Sequence, residues 1–381
     1  MERPRFDVAD IIRLHRVALE AIQPLSSVQG RALSAIALCR TAALGGHANV
    51  CMACGIKEDP SYNSCRNRNC PKCQALDQER WIQARTKAIL PVSHYHGVFT
   101  MPSDFRALAR QYPREIYDAA LRCSSEALLE LAQSRLGVRL GLTLILHTWT
   151  RELLEHPHVH VLATAGGLAS DGTFKRIRQK VLLHVRPLAL LFKGKMMAAL
   201  RTLREKGALV MSDGAFGTLM ASLDAQDWVV YLKKTFHQPE KTLHYLGRYT
   251  HRVGISNSRL IDVTSEKVTF KSKDGRSVTL HPVAFLQRFV RHILPDRFKK
   301  IRHAGLYAAP KALAKARAAL GLTPPPSPMN PPPTWAEALL MLTGRDVAHC
   351  SGCGGTLFRV EIARDPPLPR HQRGSRPRSP P

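Results

Sequence analysis

One stretch constrains the fold more than any other: Glu155-His156-Pro157-His158-Val159-His160-Val161-Leu162-Ala163-Thr164. On a β-strand, side chains two apart share a face. His156, His158 and His160 then project one way, and Val159, Val161 and Ala163 the other. Such a chain must build a sheet with an aliphatic face against a core and a row of imidazoles opposite. Imidazoles in a row are nitrogen ligands for a metal ion. Taken alone, the stretch also fits a histidine-rich surface strand that binds nothing. The surrounding sequence has to decide.

Residues 142–149 read as a second strand, linked to the first by a short polar connection, so the two are expected to pair antiparallel. Residues 94–101 form a third, in which His94 and His96 share a face; core or edge histidines are the plainer account of that pair. Helical spacing of apolar residues covers 7–21, 27–43, 74–90, 113–135 and 181–206. Residues 228–232 are a strand, residues 268–271 and 278–280 a hairpin across Lys273-Asp274-Gly275-Arg276, and a helix lies near 282–292. The mixture predicts an α+β fold, with an antiparallel sheet flanked by helices behind an N-terminal helical, cysteine-rich segment.

That segment holds Cys51 and Cys54 in one CxxC and Cys70 and Cys73 in another, with fifteen residues between them. Each CxxC offers two thiolates from one tight turn, and the spacing is that of a structural zinc knuckle. Cys65 is a fifth thiol able to replace one of the four. Nine cysteines, mostly in such pairs, suit metal in a reducing compartment better than disulfides. Lys57, Arg66, Arg68 and Lys72 surround the thiols, either as phosphate contacts on a rigid loop or as a solvated basic loop. A third CxxC, Cys350 and Cys353, is half a site, which His349 or a lone cysteine would have to complete.

Lysine and arginine outnumber aspartate and glutamate 56 to 29, a formal charge of +27. That excess points to a polyanionic partner, nucleic acid before all others. No apolar run reaches membrane-spanning length and no signal-type core follows the N-terminus, so no membrane is expected and the chain is expected to be intracellular. On a helix, Tyr245 and Tyr249 are one turn apart on the same face, as are Arg248 and Arg252, which add a basic edge. As an isolated pair the tyrosines are also ordinary half-buried residues, and the arginines a solvated face. Residues 297–303 alternate cations with apolar residues, as a nucleic-acid face or a solvated strand does. Residues 323–333 are a proline-rich linker, and the Pro-, Arg- and Ser-rich tail is expected to be disordered.

Three of these stretches together resemble the transposases of insertion-sequence family ninety-one. These are the two-tyrosine members of the HUH endonuclease group (histidine, bulky hydrophobic, histidine). The stretch from Tyr62 to Gln74 is similar to the family's zinc-binding domain, His156-Pro157-His158-Val159-His160 to its HUH motif, and Tyr245 through Val253 to its tyrosine motif. One departure is Asn69, where family members carry histidine. The resemblance covers roughly residues 7–305. It implies an HUH-type sheet in which His158 and His160 hold magnesium or manganese, with His156 the first choice as third ligand and Glu152, His94, His96 and His251 behind it. It also implies that Tyr245 and Tyr249 are the nucleophiles that cut single-stranded DNA at element ends. Residues 1–90 would be the helical and zinc-binding domain and 91–305 the nuclease. Residues 306–365 would hold a basic helix, the linker and a small CxxC unit, with 366–381 the tail. The place of action would be the bacterial cytoplasm, on the nucleoid. A replication initiator or relaxase with the same chemistry, and a non-catalytic zinc protein that binds DNA, remain as alternatives.

Overall fold

The computed structural model describes residues 4–73, 75–179, 181–235, 247, 254–272, 275–322, 334–344 and 346–364. Its helices are α1 (Val8–Ile22), α2 (Ser27–Leu38), α3 (Ala75–Ala88), α4 (Phe105–Gln111), α5 (Pro113–Leu136), α6 (Val185–Glu205), α7 (Asp213–Ala225), α8 (Pro282–Val290), α9 (Pro310–Ala319) and α10 (Trp335–Thr343). Its strands are β1 (Gly46–Cys51), β2 (Ser61–Tyr62), β3 (His94–Thr100), β4 (Val138–Trp149), β5 (Glu155–Ala169), β6 (Phe174–Arg176), β7 (Val230–Lys234), β8 (Leu260–Val263), β9 (Val268–Lys271), β10 (Ser277–Leu280), β11 (Ile301–Gly305) and β12 (Leu357–Ile362). The fold is α+β, with antiparallel pairing throughout the described sheets. Among the described residues, no helix is long and apolar enough to cross a membrane.

The histidine stretch is realised as β5, in the middle of a sheet ordered β11-β4-β5-β3-β7, with β6 pairing the far end of β5. The register aligns Leu146 with Val159, Leu144 with Val161 and Leu142 with Ala163. On the other side of β5, Phe99 faces Val159 and Tyr95 faces Ala163. Opposed residues share a face, so these side chains make one apolar layer. It is buried with Leu121 and Leu128 of α5 and Phe192 and Met196 of α6. Phe99 meets Phe192 edge to face at 5.0 Å between centroids. A single slip in register would turn this layer to solvent, at about 2 kcal/mol for each large apolar side chain exposed.

The opposite face is divided. Ile145 and Leu162 are capped by Ile89, with Trp81, Ile301 and Tyr307 packed around them. The remaining part of that face carries the histidines.

A second core joins distant parts of the chain. Side chains of α1 and α2 are buried with Ile255, Leu260, Val268, Phe270 and the α8 residues Phe285, Leu286 and Phe289. Asp7 caps α1 by accepting from the Ala9 amide at 2.9 Å, and Ser26 with Gln29 forms a reciprocal capping box on α2. The helix expected to reach residue 43 ends at Leu38. Cys39 leaves it to join a cysteine cluster, and Arg40 takes a left-handed φ of 58°. The last strand, β12, returns to β1, pairing from Gly46 with Ile362 to Cys51 with Leu357. Neither that pairing nor α4 and α7 was expected from the sequence.

Two buried histidines give the fold an acid limit. His292 is held by Thr148 Oγ1 at 3.2 Å and by the Leu153 carbonyl at 3.1 Å, and His94 by Tyr307 Oη at 3.1 Å. Burial pulls each of them down to about 4. The unfolded chain, with histidines near 6.5, therefore binds more protons than the folded one between pH 6.5 and 4. Stability is fully present above that window and falls as pH drops through it. The urea midpoint is expected to decrease steadily from pH 7 to pH 5, where carboxylates remain ionised. A flat midpoint over that interval would contradict the burial of neutral imidazoles.

Candidate metal centre

β4 and β5 lie side by side, and His147 stands directly opposite His158, with His160 two residues further along the same face. The ligand nitrogens of His147, His158 and His160 all lie within 4.8 Å of one another. His158 Nε2 and His160 Nε2 are 3.1 Å apart. Two ligands each about 2.1 Å from one ion and at right angles stand about 3 Å apart, so this spacing fits a shared metal.

The far nitrogens orient the rings from behind. His158 Nδ1–H donates to the His156 carbonyl at 2.6 Å, which leaves the Nε2 lone pair facing the cluster. His160 Nδ1 is 2.8 Å from His96 Nε2, and those rings stack at 5.0 Å. Burial is the main cause of low basicity throughout. It takes His158 to about 4 and His160 to about 2, and His147 well below the ordinary range, with the neighbouring imidazoles adding repulsion. At neutral pH all three rings are uncharged, the state in which imidazole binds metal.

His147 was not among the residues expected from the sequence, and its ring nitrogen, not that of His156, converges with those of His158 and His160. The ladder shifts register between His147 and Trp149, beside Pro157, which has no N–H to donate. His156 therefore lies past the regular alternation. Its ring nitrogens are not among those that converge in the cluster, and its contribution there is the backbone carbonyl that accepts from His158 Nδ1–H. The other candidates are also elsewhere. Glu152 is a turn residue whose carbonyl accepts from Arg288, His94 bonds Tyr307, and His96 backs His160. His251 lies outside the described residues, as do Tyr245, Tyr249, Arg248 and Arg252. Gly247, in the middle of the tyrosine motif, is buried against Ile82 of α3, where a Cβ would overlap the isoleucine. The same helix contributes Trp81 to the cover of the histidine face.

The cysteines form two groups rather than the single knuckle expected. Cys70 and Cys73 join Cys65 and Cys39, with Cys65 and Cys73 sulfurs 3.7 Å apart and the Cys65 amide donating to Cys39 Sγ at 3.4 Å. Cys39 is drawn below the usual thiol range, chiefly by its hydrogen bond with Cys65. Four thiols complete this set without residue 69, so Asn69 does not leave it short of a ligand. Cys51 and Cys54 stand instead with Cys350 and Cys353. The pairing by nearest CxxC fails because β1 carries Cys51 away from α2 and into a sheet with β12.

Two of the expected DNA contacts are turned inward. Arg68 donates to the Phe298 carbonyl at 2.6 Å and to that of Pro295 at 3.4 Å. Lys72 pairs with Asp7 and donates to the Cys39 carbonyl. Both brace the first cysteine cluster against its surroundings, whereas Arg66 is exposed. The basic stretch 297–303 is likewise partly internal. Phe298 enters the main core, and Lys300 is buried, its ammonium pulled down to about 7 by burial and then by Arg68.

Known proteins resemble the chain along most of its length. Residues 141–314 match a family described as "Putative transposase", and residues 11–101 one described as "Transposase zinc-binding domain". A curated relative from Sinorhizobium fredii, "Putative transposase y4qJ", is 37% identical over 385 residues, covering 95% of this chain and 96% of its own length. The "Transposase for insertion sequence element IS801" of Pseudomonas savastanoi pv. phaseolicola is 31% identical over 312 residues, with 77% of this chain and 74% of that protein covered. No solved structure matches.

Proposed function

The chain belongs to the IS91 family of transposases, and we propose that it cuts and rejoins single-stranded DNA through a tyrosine placed at the histidine centre of β4 and β5. The observation that carries this reading is the convergence of the His147, His158 and His160 ring nitrogens on two paired strands. A divalent cation held there supplies Lewis acidity to a scissile phosphate and lowers the cost of charge on the departing oxygen. Magnesium prefers oxygen ligands and dehydrates reluctantly, so of magnesium and manganese the three imidazoles suit manganese better.

The nucleophile is Tyr245 or Tyr249. Its phenolic oxygen forms a bond to phosphorus as the bond from phosphorus to the 3′ oxygen breaks. The phenolic proton passes by way of solvent to the departing oxygen. The products are a 5′-phosphotyrosine and a free 3′-OH, and attack by that hydroxyl in the reverse sense rejoins a strand without a nucleotide cofactor. Two tyrosines allow one to hold the first cut end while the other cuts again, the sequence of events in rolling-circle transfer. His156 and His96 position the metal-binding rings, and Arg66, Arg248 and Arg252 are assigned to DNA phosphates. In this reading residues 91–305 are the nuclease, acting on nucleoid DNA in the bacterial cytoplasm.

The test uses the purified chain, a single-stranded oligonucleotide carrying an element end, and a chelator at a level that leaves bound zinc unchanged. Covalent attachment is expected to disappear and to return with added manganese, more strongly than with magnesium. Attachment at an undiminished rate in the chelator would sink the metal assignment.

A further inference from the structure

The C-terminal pair Cys350 and Cys353 finds its other half near the opposite end of the chain. Cys51 Sγ lies 3.5 Å from Cys353 Sγ, and Cys54 Sγ lies 3.7 Å from Cys350 Sγ, across sequence separations of 302 and 296 residues. A disulfide would bring two sulfurs to about 2.05 Å. Sulfurs at the corners of a tetrahedron around zinc, each about 2.3 Å from the ion, stand about 3.8 Å apart. The observed spacings are those of ligands around one ion.

The two halves are also the same turn, built twice. In Cys51-Met52-Ala53-Cys54-Gly55 the Cys51 amide donates to the Ile56 carbonyl and the Gly55 amide to the Cys51 carbonyl, each at 2.9 Å. In Cys350-Ser351-Gly352-Cys353-Gly354 the Cys350 amide donates to the Gly355 carbonyl at 2.8 Å and the Gly354 amide to the Cys350 carbonyl at 2.9 Å. Gly55 and Gly354 have φ of 75° and 72°, a conformation that favours glycine. Each turn is closed by a bridge, Val50 with Lys57 and His349 with Thr356. Gly355 runs against the sulfurs themselves. A Cβ there would stand 3.2 Å from Cys51 Sγ and 3.3 Å from Cys353 Sγ. His349 is engaged elsewhere, with Asp346 at 2.8 Å.

Packing alone gives β12 little reason to stay in place. Phe358 and Val360 remain 58% and 52% exposed, and a small three-stranded sheet with so little buried apolar surface is marginal in water. Four thiolates select a soft ion, and their closed tetrahedral arrangement is that of a structural site. We propose that Cys51, Cys54, Cys350 and Cys353 form a second zinc centre, separate from that of Cys39, Cys65, Cys70 and Cys73, which locks the C-terminal strand onto the N-terminal one.

Metal analysis of the purified full chain is expected to give two zinc ions per protein. The double variant Cys350→Ser, Cys353→Ser should give one, and so should Cys51→Ser, Cys54→Ser. In a second experiment a specific protease site is placed within residues 325–331 and cut in otherwise unaltered protein. The C-terminal piece should stay with the remainder on gel filtration and separate once zinc is removed. Two zinc ions retained in either double variant, or a piece that separates while zinc is present, would overturn the proposal. The cleavage arm needs no cysteine variant, so it stands even if those variants fail to fold.

Discussion

Covalent capture of a single-stranded element end is expected to vanish when Tyr245 and Tyr249 are both replaced by phenylalanine. The change removes two oxygen atoms and keeps both rings, so far-ultraviolet dichroism should be unchanged. What is lost is both protein oxygens that bond to phosphorus in the proposed scheme, and the loss should exceed about a thousandfold. Each single variant, Tyr245→Phe or Tyr249→Phe, keeps one nucleophile. It should still form an adduct while failing to complete a two-cut transfer. Denaturing electrophoresis with a labelled oligonucleotide separates these outcomes. An adduct that survives in the double variant would end the tyrosine mechanism and leave the family assignment untouched.

The second large effect distinguishes the histidine set read from the sequence from the one the fold assembles. His158→Ala with His160→Ala should remove manganese binding and reduce cleavage by about a thousandfold, the scale of several kcal/mol of lost Lewis-acid stabilisation. His147→Ala alone should cost about a hundredfold or more. His156→Ala should cost less than about tenfold, because the group that orients His158 is a backbone carbonyl, which alanine also has. Calorimetric titration with manganese gives the same ranking without a DNA substrate. Equal losses from His147→Ala and His156→Ala would mean that the register shift at Pro157 does not exclude His156 from the centre.

The contrast between those two histidines shows where sequence reading reached its limit. Alternation identified β5 and its two faces because a period of two is written into neighbouring residues. His147 carries no such mark. It comes beside His158 and His160 only through the pairing of β4 with β5, and that register depends on a break no local pattern announces. The cysteines repeat the lesson. CxxC spacing located turns able to hold metal, yet it could not say which turns meet. Cys39, a single thiol at the end of α2, had no spacing signal at all. Arg68 and Lys72 were placed correctly in the loop beside the thiols but assigned outward, since composition does not reveal that Phe298, Pro295 and Asp7 lie within their reach. The proline-rich stretch reads as a linker to a small CxxC-containing unit, and nothing local says that β12 of that unit pairs with β1 over six residues.

That pairing has a consequence for how the protein is made. β2 follows β1 from the ribosome at once, but the strand on the other side of β1 is about 300 residues further on. At about 5–20 residues per second, some 15–60 seconds separate the two. Throughout that interval the Cys51 turn has no counterpart, and the edge of β1 is open to water or to another nascent chain. A message cut short after the codon for His160 and before that for Cys350 yields a polypeptide that holds every residue of the histidine centre and lacks β12. Completion of the N-terminal sheet thus reports that translation has passed residue 362.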